Sequence, residues 1–273
     1  MRIPRLALMA GALASVLFAG TAHAATSSAA PAFQPALTKN PLYKTGKLGT
    51  DTCEEPTVQN GTVEEATVYF ETVMVCLKKA WSPVVKKAGY GFGSPKLAVV
   101  TKVGEKTPCG RFPAGAQALY CPAAKSITVL LSPEIVEEPT NLALMVVLAH
   151  EYGHHVQQIT GIGKATDAFY GSKKADKRTL DGIRRSELQA QCLSGAFVGR
   201  VWTSLGRDDA DWDAILKSTH NFLDLSAIGV KVRSGADQTH GNDSNNAHWL
   251  QRGFTVQSAS ACNTWTAPAA KVL

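Results

Sequence analysis

Apolar positions fall at helical spacing in some stretches of the chain and gather in short β-branched runs in others. From Thr62 to about Trp81, residues Val68, Phe70, Val73, Met74 and Leu77 form one apolar face, and Thr62 with Glu65 makes a capping box at its start. Ser82-Pro83 predicts a second, short helix with proline in its first turn, ended by Gly89. A β-rich section follows, with strands predicted over Leu97 to Thr101, Ala118 to Cys121 and Ile127 to Leu131. Pro and Gly residues between Cys109 and Cys121 predict a looped hairpin that a disulfide could pinch. Leu142 to Ala149 is apolar all round, so a helix from about Thr140 to Thr160, with Gly161 past its end, is expected to be buried on every side. A second long helix is predicted from about Asp176 to Leu205, stopped by Gly206. From Asp208 onward the pattern gives one more helical stretch and then a polar loop rich in Asn and Ser. This order predicts an α+β domain, a small antiparallel or mixed sheet packed on one buried helix and further helices.

The two ends of the pattern change the picture. Arg2 and Arg5, an apolar stretch from Leu6 to about Gly20, and Ala22-His23-Ala24 read as a secretory signal peptide over residues 1–24. Residues 25–50, rich in Ala, Ser, Thr, Pro and Lys without a period, read as a flexible lead-in, and 51–273 as one domain. Losing Arg2 and Arg5 with the leader takes the formal net charge from +6 to +4. The basic residues are scattered, which a solvated surface explains better than a nucleic-acid footprint, so no nucleic-acid partner is expected. Leu142 to Ala149 is too short to cross a membrane, so no stable insertion is expected after cleavage. Cys53, Cys76, Cys109, Cys121, Cys192 and Cys262 all follow the leader, and an even count in an exported chain predicts three disulfides. Sequence leaves about 15 pairings open. The simplest is sequential: Cys53–Cys76, Cys109–Cys121 and Cys192–Cys262.

Chemistry enters inside the buried helix. His150-Glu151-Tyr152-Gly153-His154 places two imidazoles one turn apart on one face, the geometry for a shared tetrahedral Zn²⁺, with Glu151 beside them as a base. A catalytic zinc needs a third protein ligand. The extended histidine form fails, because Gln157 and Thr160 occupy its Gly and His positions, and no methionine follows Met145 to make a Met-turn. A glutamate from the later helix remains. Glu187 shares a face with Ile183, Ala190, Ser194 and Val198, which points it inward; a surface pair with Arg184 is the other reading. His155 lies about 100° around the helix from His154 and reads as a packing or supporting histidine rather than a ligand. His240, in Thr-His-Gly on the polar loop, could reach the cleft and stabilise a developing oxyanion, or do nothing catalytic.

The phrases HEYGHHVQ and SELQAQCLSGAF resemble those of the bacterial putative neutral zinc metallopeptidases. So do Asn40 to Gly46, Cys76 to Pro83, Tyr120-Cys-Pro, Thr239-His240-Gly241, Trp249 and Arg252-Gly-Phe254. The resemblance implies a zincin-like fold holding one Zn²⁺ on His150, His154 and Glu187, with Glu151 as base in the hydrolysis of a peptide or protein substrate outside the cell. Two departures stand out. Gln191 stands where such proteins usually carry aspartate, and Asn245-Asn246 where a basic residue is common. An aspartate there would hold a ligand histidine through its second nitrogen, whereas Gln191 accepts a hydrogen bond without charge. The alternative expectation is therefore a secreted zincin-fold protein that binds zinc and acts as a binding or scaffold module with little turnover.

Overall fold

The computed structural model describes residues 33–59, 61–172, 176–218 and 239–273. The signal-peptide reading lies outside them. Helices are α1 (Pro35–Thr38), α2 (Val63–Lys87), α3 (Pro133–Glu137), α4 (Leu142–Ile159), α5 (Ile162–Tyr170), α6 (Lys177–Leu205), α7 (Asp209–Ser218) and α8 (Asp243–Val256). Strands are β1 (Lys96–Val100), β2 (Lys106–Thr107), β3 (Gly110–Arg111), β4 (Ala118–Cys121) and β5 (Ser126–Leu130). The fold is α+β, with β1, β4 and β5 in a mixed sheet of order β1-β5-β4. β1 runs parallel to β5, with Leu97 opposite Ile127, and β4 runs antiparallel, with Tyr120 opposite Ile127. The central strand β5 is buried at every residue, leaving β4 as the edge that faces α4.

Local chemistry sets the helix ends. Asn141 caps α4 by accepting from Ala143 N–H, and Gly161 takes the left-handed conformation (φ 78°) beyond it. Asp176 caps α6, and Gly206 ends it with φ 66°. The α6 helix is the axis of the domain: every residue from Arg185 to Gly199 is buried. It meets α4 where Gly153 crosses Ala190, and a Cβ on Gly153 would sit 3.1 Å from the Ala190 backbone. That close crossing brings both histidines opposite Glu187. On its far side α6 lies against α8 through Gly195, Gly199 and Gly253, where any Cβ would collide with the facing helix backbone. All three sequential disulfides are formed: Cys53–Cys76, Cys109–Cys121 and Cys192–Cys262.

Four expectations need correction. The helix from Thr62 does not stop before Pro83 but runs through it to Lys87, because Ala80, Trp81, Val84 and Val85 continue its buried face. The Ala80 carbonyl, one turn before Pro83, also accepts from Gly49 N–H at 2.9 Å. The hairpin lies at β2–β3, with Cys109 in its turn, and the disulfide staples it to β4. The stretch read as a flexible lead-in is built structure from residue 33: Leu37, Leu42 and Leu48 join the core, and Asn40 Nδ2 donates to the Thr160 carbonyl at the end of α4. The polar Asn/Ser segment is the first turn of α8, capped by Asn242, with Trp249 and Leu250 buried.

Candidate functional site

Two helices and one strand edge build the site. The α4 helix supplies His150 and His154, and α6 supplies Glu187 from a buried position, 8% exposed. His150 Nε2 and His154 Nε2 stand 3.1 Å apart, and Glu187 Oε2 lies 3.3 Å from the first and 3.0 Å from the second. Ligand atoms about 2.0–2.2 Å from one tetrahedral zinc stand about 3.3–3.5 Å apart, so three donors at these separations fit one ion. The far ring nitrogens support the same assignment. His150 Nδ1 faces Gln191 Oε1 at 3.0 Å, and His154 Nδ1 faces Gln157 Oε1 at 2.9 Å. An amide oxygen only accepts, so each ring carries its proton on Nδ1, and in the neutral ring Nε2 presents a lone pair to the centre.

Electrostatics bind the three groups together. Burial alone would push the Glu187 carboxyl up, yet His154 and His240 beside it hold it well below the ordinary carboxylate range. Burial also works against the charged form of His154; Glu187 overcomes it and pushes the imidazole up to about 9. Tyr170, at the end of α5, donates its hydroxyl to Glu187 Oε1 at 2.6 Å. Burial of that hydroxyl, then Glu187 itself, raises the phenol well above its usual value.

Glu151 lies on the strand side, half-buried, where its Oε2 accepts from Tyr120 N–H of β4 at 2.7 Å. That N–H points away from β5, so the sheet edge positions the carboxylate. His240 does reach the site. Its Nε2 is 3.4 Å from Glu187 Oε2, and its ring stacks on His150 at 6.3 Å. It stands outside the set of three donor atoms that close within 4.8 Å of one another, so it borders the ligand set. Of the two unexpected asparagines, Asn246 holds it there, its Nδ2 donating to the His240 carbonyl at 2.8 Å, while Asn245 Nδ2 ties the tail by donating to the carbonyls of Ala270 and Leu273. His155 is no ligand. It is fully buried on another face, with Nε2 on the Gly93 carbonyl at 2.6 Å and Nδ1 on Tyr120 Oη at 3.0 Å. Burial pulls its pKa down, so it stays neutral and bolts α4 to β4.

Sequence reasoning did not find Gln157, Gln189, Tyr170 or Arg185. Gln157 lies three residues after His154, a spacing that puts it on the same helix face and could have flagged it. Arg185 is fully buried, bonded to Asp181 at 2.9 Å and to the carbonyls of Thr264 and Ala267, with its guanidinium over the Phe33 ring. Asp181, four residues earlier, is the one local mark of Arg185 and reads as an ordinary helix ion pair; its other partners, and that of Tyr170, are distant.

A buried helix carrying two histidines and a glutamate, with a carboxylate from its neighbour and a strand edge alongside, defines a zincin-type α+β domain. The chain belongs to the family described as "Putative neutral zinc metallopeptidase", whose model matches residues 45–265. It is 26% identical over 212 residues to the uncharacterized protein YpfJ of Escherichia coli strain K12, covering 74% of this chain and 72% of that one. It is 24% identical over 209 residues to the uncharacterized protein Rv2575 of Mycobacterium tuberculosis strain H37Rv, covering 68% and 66%. No solved structure matches the chain.

Proposed function

We propose that this is an exported zinc-dependent peptidase in which His150, His154 and Glu187 hold the metal and Glu151 is the general base. The observation that carries the reading is the placing of Glu151, which the Tyr120 N–H fixes beside three donors spaced for one ion. Zinc there would supply Lewis acidity and an acidified water. Glu151 takes the proton of the attacking water as its oxygen bonds to the scissile carbonyl carbon. It returns that proton to the amide nitrogen as the C–N bond breaks. His240 donates from Nε2 to the carbonyl oxygen as negative charge builds there. β4 is an edge strand of the sheet, and its outward backbone groups other than the Tyr120 N–H, which Glu151 takes, suit an extended peptide paired strand to strand.

Three disulfides support export, since such bonds persist in oxidising compartments. Among the described residues no helix is long and apolar enough to cross a membrane. One observation favours a second reading, a zinc-binding scaffold with little turnover: Gln191 brings no charge to His150, and its Nε2 is buried without a partner among the described residues. A quenched-peptide library assay on zinc-loaded protein, with and without chelator, separates the two. Chelator-sensitive cleavage that vanishes in Glu151→Gln supports the peptidase. Turnover that survives the substitution removes Glu151 from its role.

A further inference from the structure

Two glutamines do the same task at the two ligand histidines, and their surroundings differ. Gln191, at His150, has only its oxygen engaged; its amide nitrogen is buried with no hydrogen-bond partner among the described residues. Gln157, at His154, is bonded through every valence. Its oxygen accepts from His154 Nδ1 at 2.9 Å and from Ser186 Oγ at 3.4 Å. Its nitrogen donates to the Ser186 carbonyl at 2.9 Å and to Gln189 Oε1 at 3.0 Å. A backbone carbonyl cannot donate, so it fixes which end of the Gln157 amide is nitrogen and which is oxygen. Gln189 is fixed in the same way, donating to the Cys262 carbonyl at 2.9 Å and to Tyr43 Oη at 2.8 Å while Trp265 Nε1 donates to its oxygen. A directional chain of hydrogen bonds thus runs, donor to acceptor, from the second ligand out to the tail and the N-terminal segment.

We propose that Gln157 is the positioning residue of the metal centre: it locks His154 in the tautomer that offers Nε2 and ties that ring to the backbone beside Glu187, and only an amide can do both. The inference rests on the zinc reading above. A carboxylate ordinarily serves a ligand histidine better than a neutral group, because it raises the basicity of the ring. At position 157 it would face two acceptors, the Ser186 carbonyl and Gln189 Oε1, in a site 2% exposed. It must then turn away or take up a proton, and either releases the histidine. At position 191 nothing demands a donor, so a carboxylate is tolerated. The usual rule therefore holds at one histidine and reverses at the other.

Zinc affinity of the full-length exported protein, measured by competition with a chromophoric chelator, tests this, with thermal melting as the check on folding. Gln157→Glu should weaken zinc binding about 10–100-fold, while Gln191→Glu binds at least as tightly as wild type. The Co²⁺ absorption spectrum of Gln157→Glu should also shift as His154 loosens, which a merely structural role would not produce. Folded Gln157→Glu with wild-type or tighter affinity overturns the proposal, as does equal weakening in Gln191→Glu, which would mean that burial alone rejects the charge. Should Gln157→Glu fail to fold, Gln189→Met decides, removing one of the two acceptors at a distance from the metal. Zinc affinity several-fold weaker supports the chain, and unchanged affinity overturns it. Wild-type protein that binds no zinc refutes the metal reading itself, a result distinct from all of these.

Discussion

The strand side and the helix side of the site are held in opposite ways. Glu151 is half-buried and rests on one backbone hydrogen bond from β4. Glu187 is buried, with Tyr170, His150, His154 and His240 around its carboxylate. The helix behind it is tied to the tail by Arg185, Gln189 and the Cys192–Cys262 disulfide. A group that moves protons needs access to substrate and solvent, whereas a ligand needs a fixed position. On the proposed reading, damage on the strand side should cost turnover, and damage on the helix side should cost the fold and the metal.

The largest effect separates the two sides most cleanly. Glu151→Gln should lower kcat by about 10²–10⁴-fold, the usual span for a general base, while zinc content and melting temperature stay at wild-type values. Melting lowered by many degrees would mean that Glu151 belongs to the structural side as well. On the opposite side, replacing Cys192 and Cys262 together by serine should cost about 2–4 kcal/mol, read as a shift in denaturant midpoint. The proton-transfer step does not pass through that bond, so kcat per zinc-loaded molecule should hold. A loss of kcat at full zinc loading would show that the tail shapes the reaction too.

How much of this was legible in the sequence follows the same division. The α4 histidines and Glu187 could be read because a turn of helix has a fixed period, and an inward face at residues 183, 187, 190, 194 and 198 shows as spacing. Strands β1 and β5 were legible because β-branched residues report themselves locally, whereas β4, Ala-Leu-Tyr-Cys, has none. What failed was structure decided at a distance. Gly195, Gly199 and Gly253 lower helix propensity, yet they are what lets α6 and α8 touch, so the local signal opposed the tertiary one. The segment around Asn245-Asn246 reads as loop because its polar side chains serve as tethers for His240 and the tail. Leu37, Leu42 and Leu48 have no regular spacing, so a segment that caps α4 and reaches Gln189 looked unstructured.

His240 sits on the boundary between the two sides and sharpens the comparison. It lies 3.4 Å from Glu187, yet its side chain is 31% exposed and Asn246 of α8 holds it through its backbone carbonyl. If it serves the developing oxyanion, His240→Ala should reduce kcat about 10²-fold, near the lower end for loss of such a donor, with zinc affinity unchanged. Zinc affinity that falls with kcat would move His240 to the ligand side.

The smallest effect concerns a proton. Without metal, Glu187 pushes His154 up to about 9, so near neutral pH the ring holds protons on both nitrogens and donates from Nε2 to the carboxylate at 3.0 Å. The sign follows from linkage. A folded pKa above the unfolded value of about 6.5 stabilises the metal-free protein fully below about 6.5, and that contribution fades as pH rises through about 9. Metal needs the same nitrogen bare, so zinc must displace that proton. Affinity should therefore rise about tenfold per pH unit between pH 7 and 8, about 1.4 kcal/mol, and level off above pH 9. Calorimetric titration in buffers of different ionisation enthalpy should count about one proton released per zinc at pH 7.5. Zero protons, with affinity flat from pH 7 to 8, would mean that Glu187 does not charge His154, and that the helix side is held by packing rather than by its ion pair.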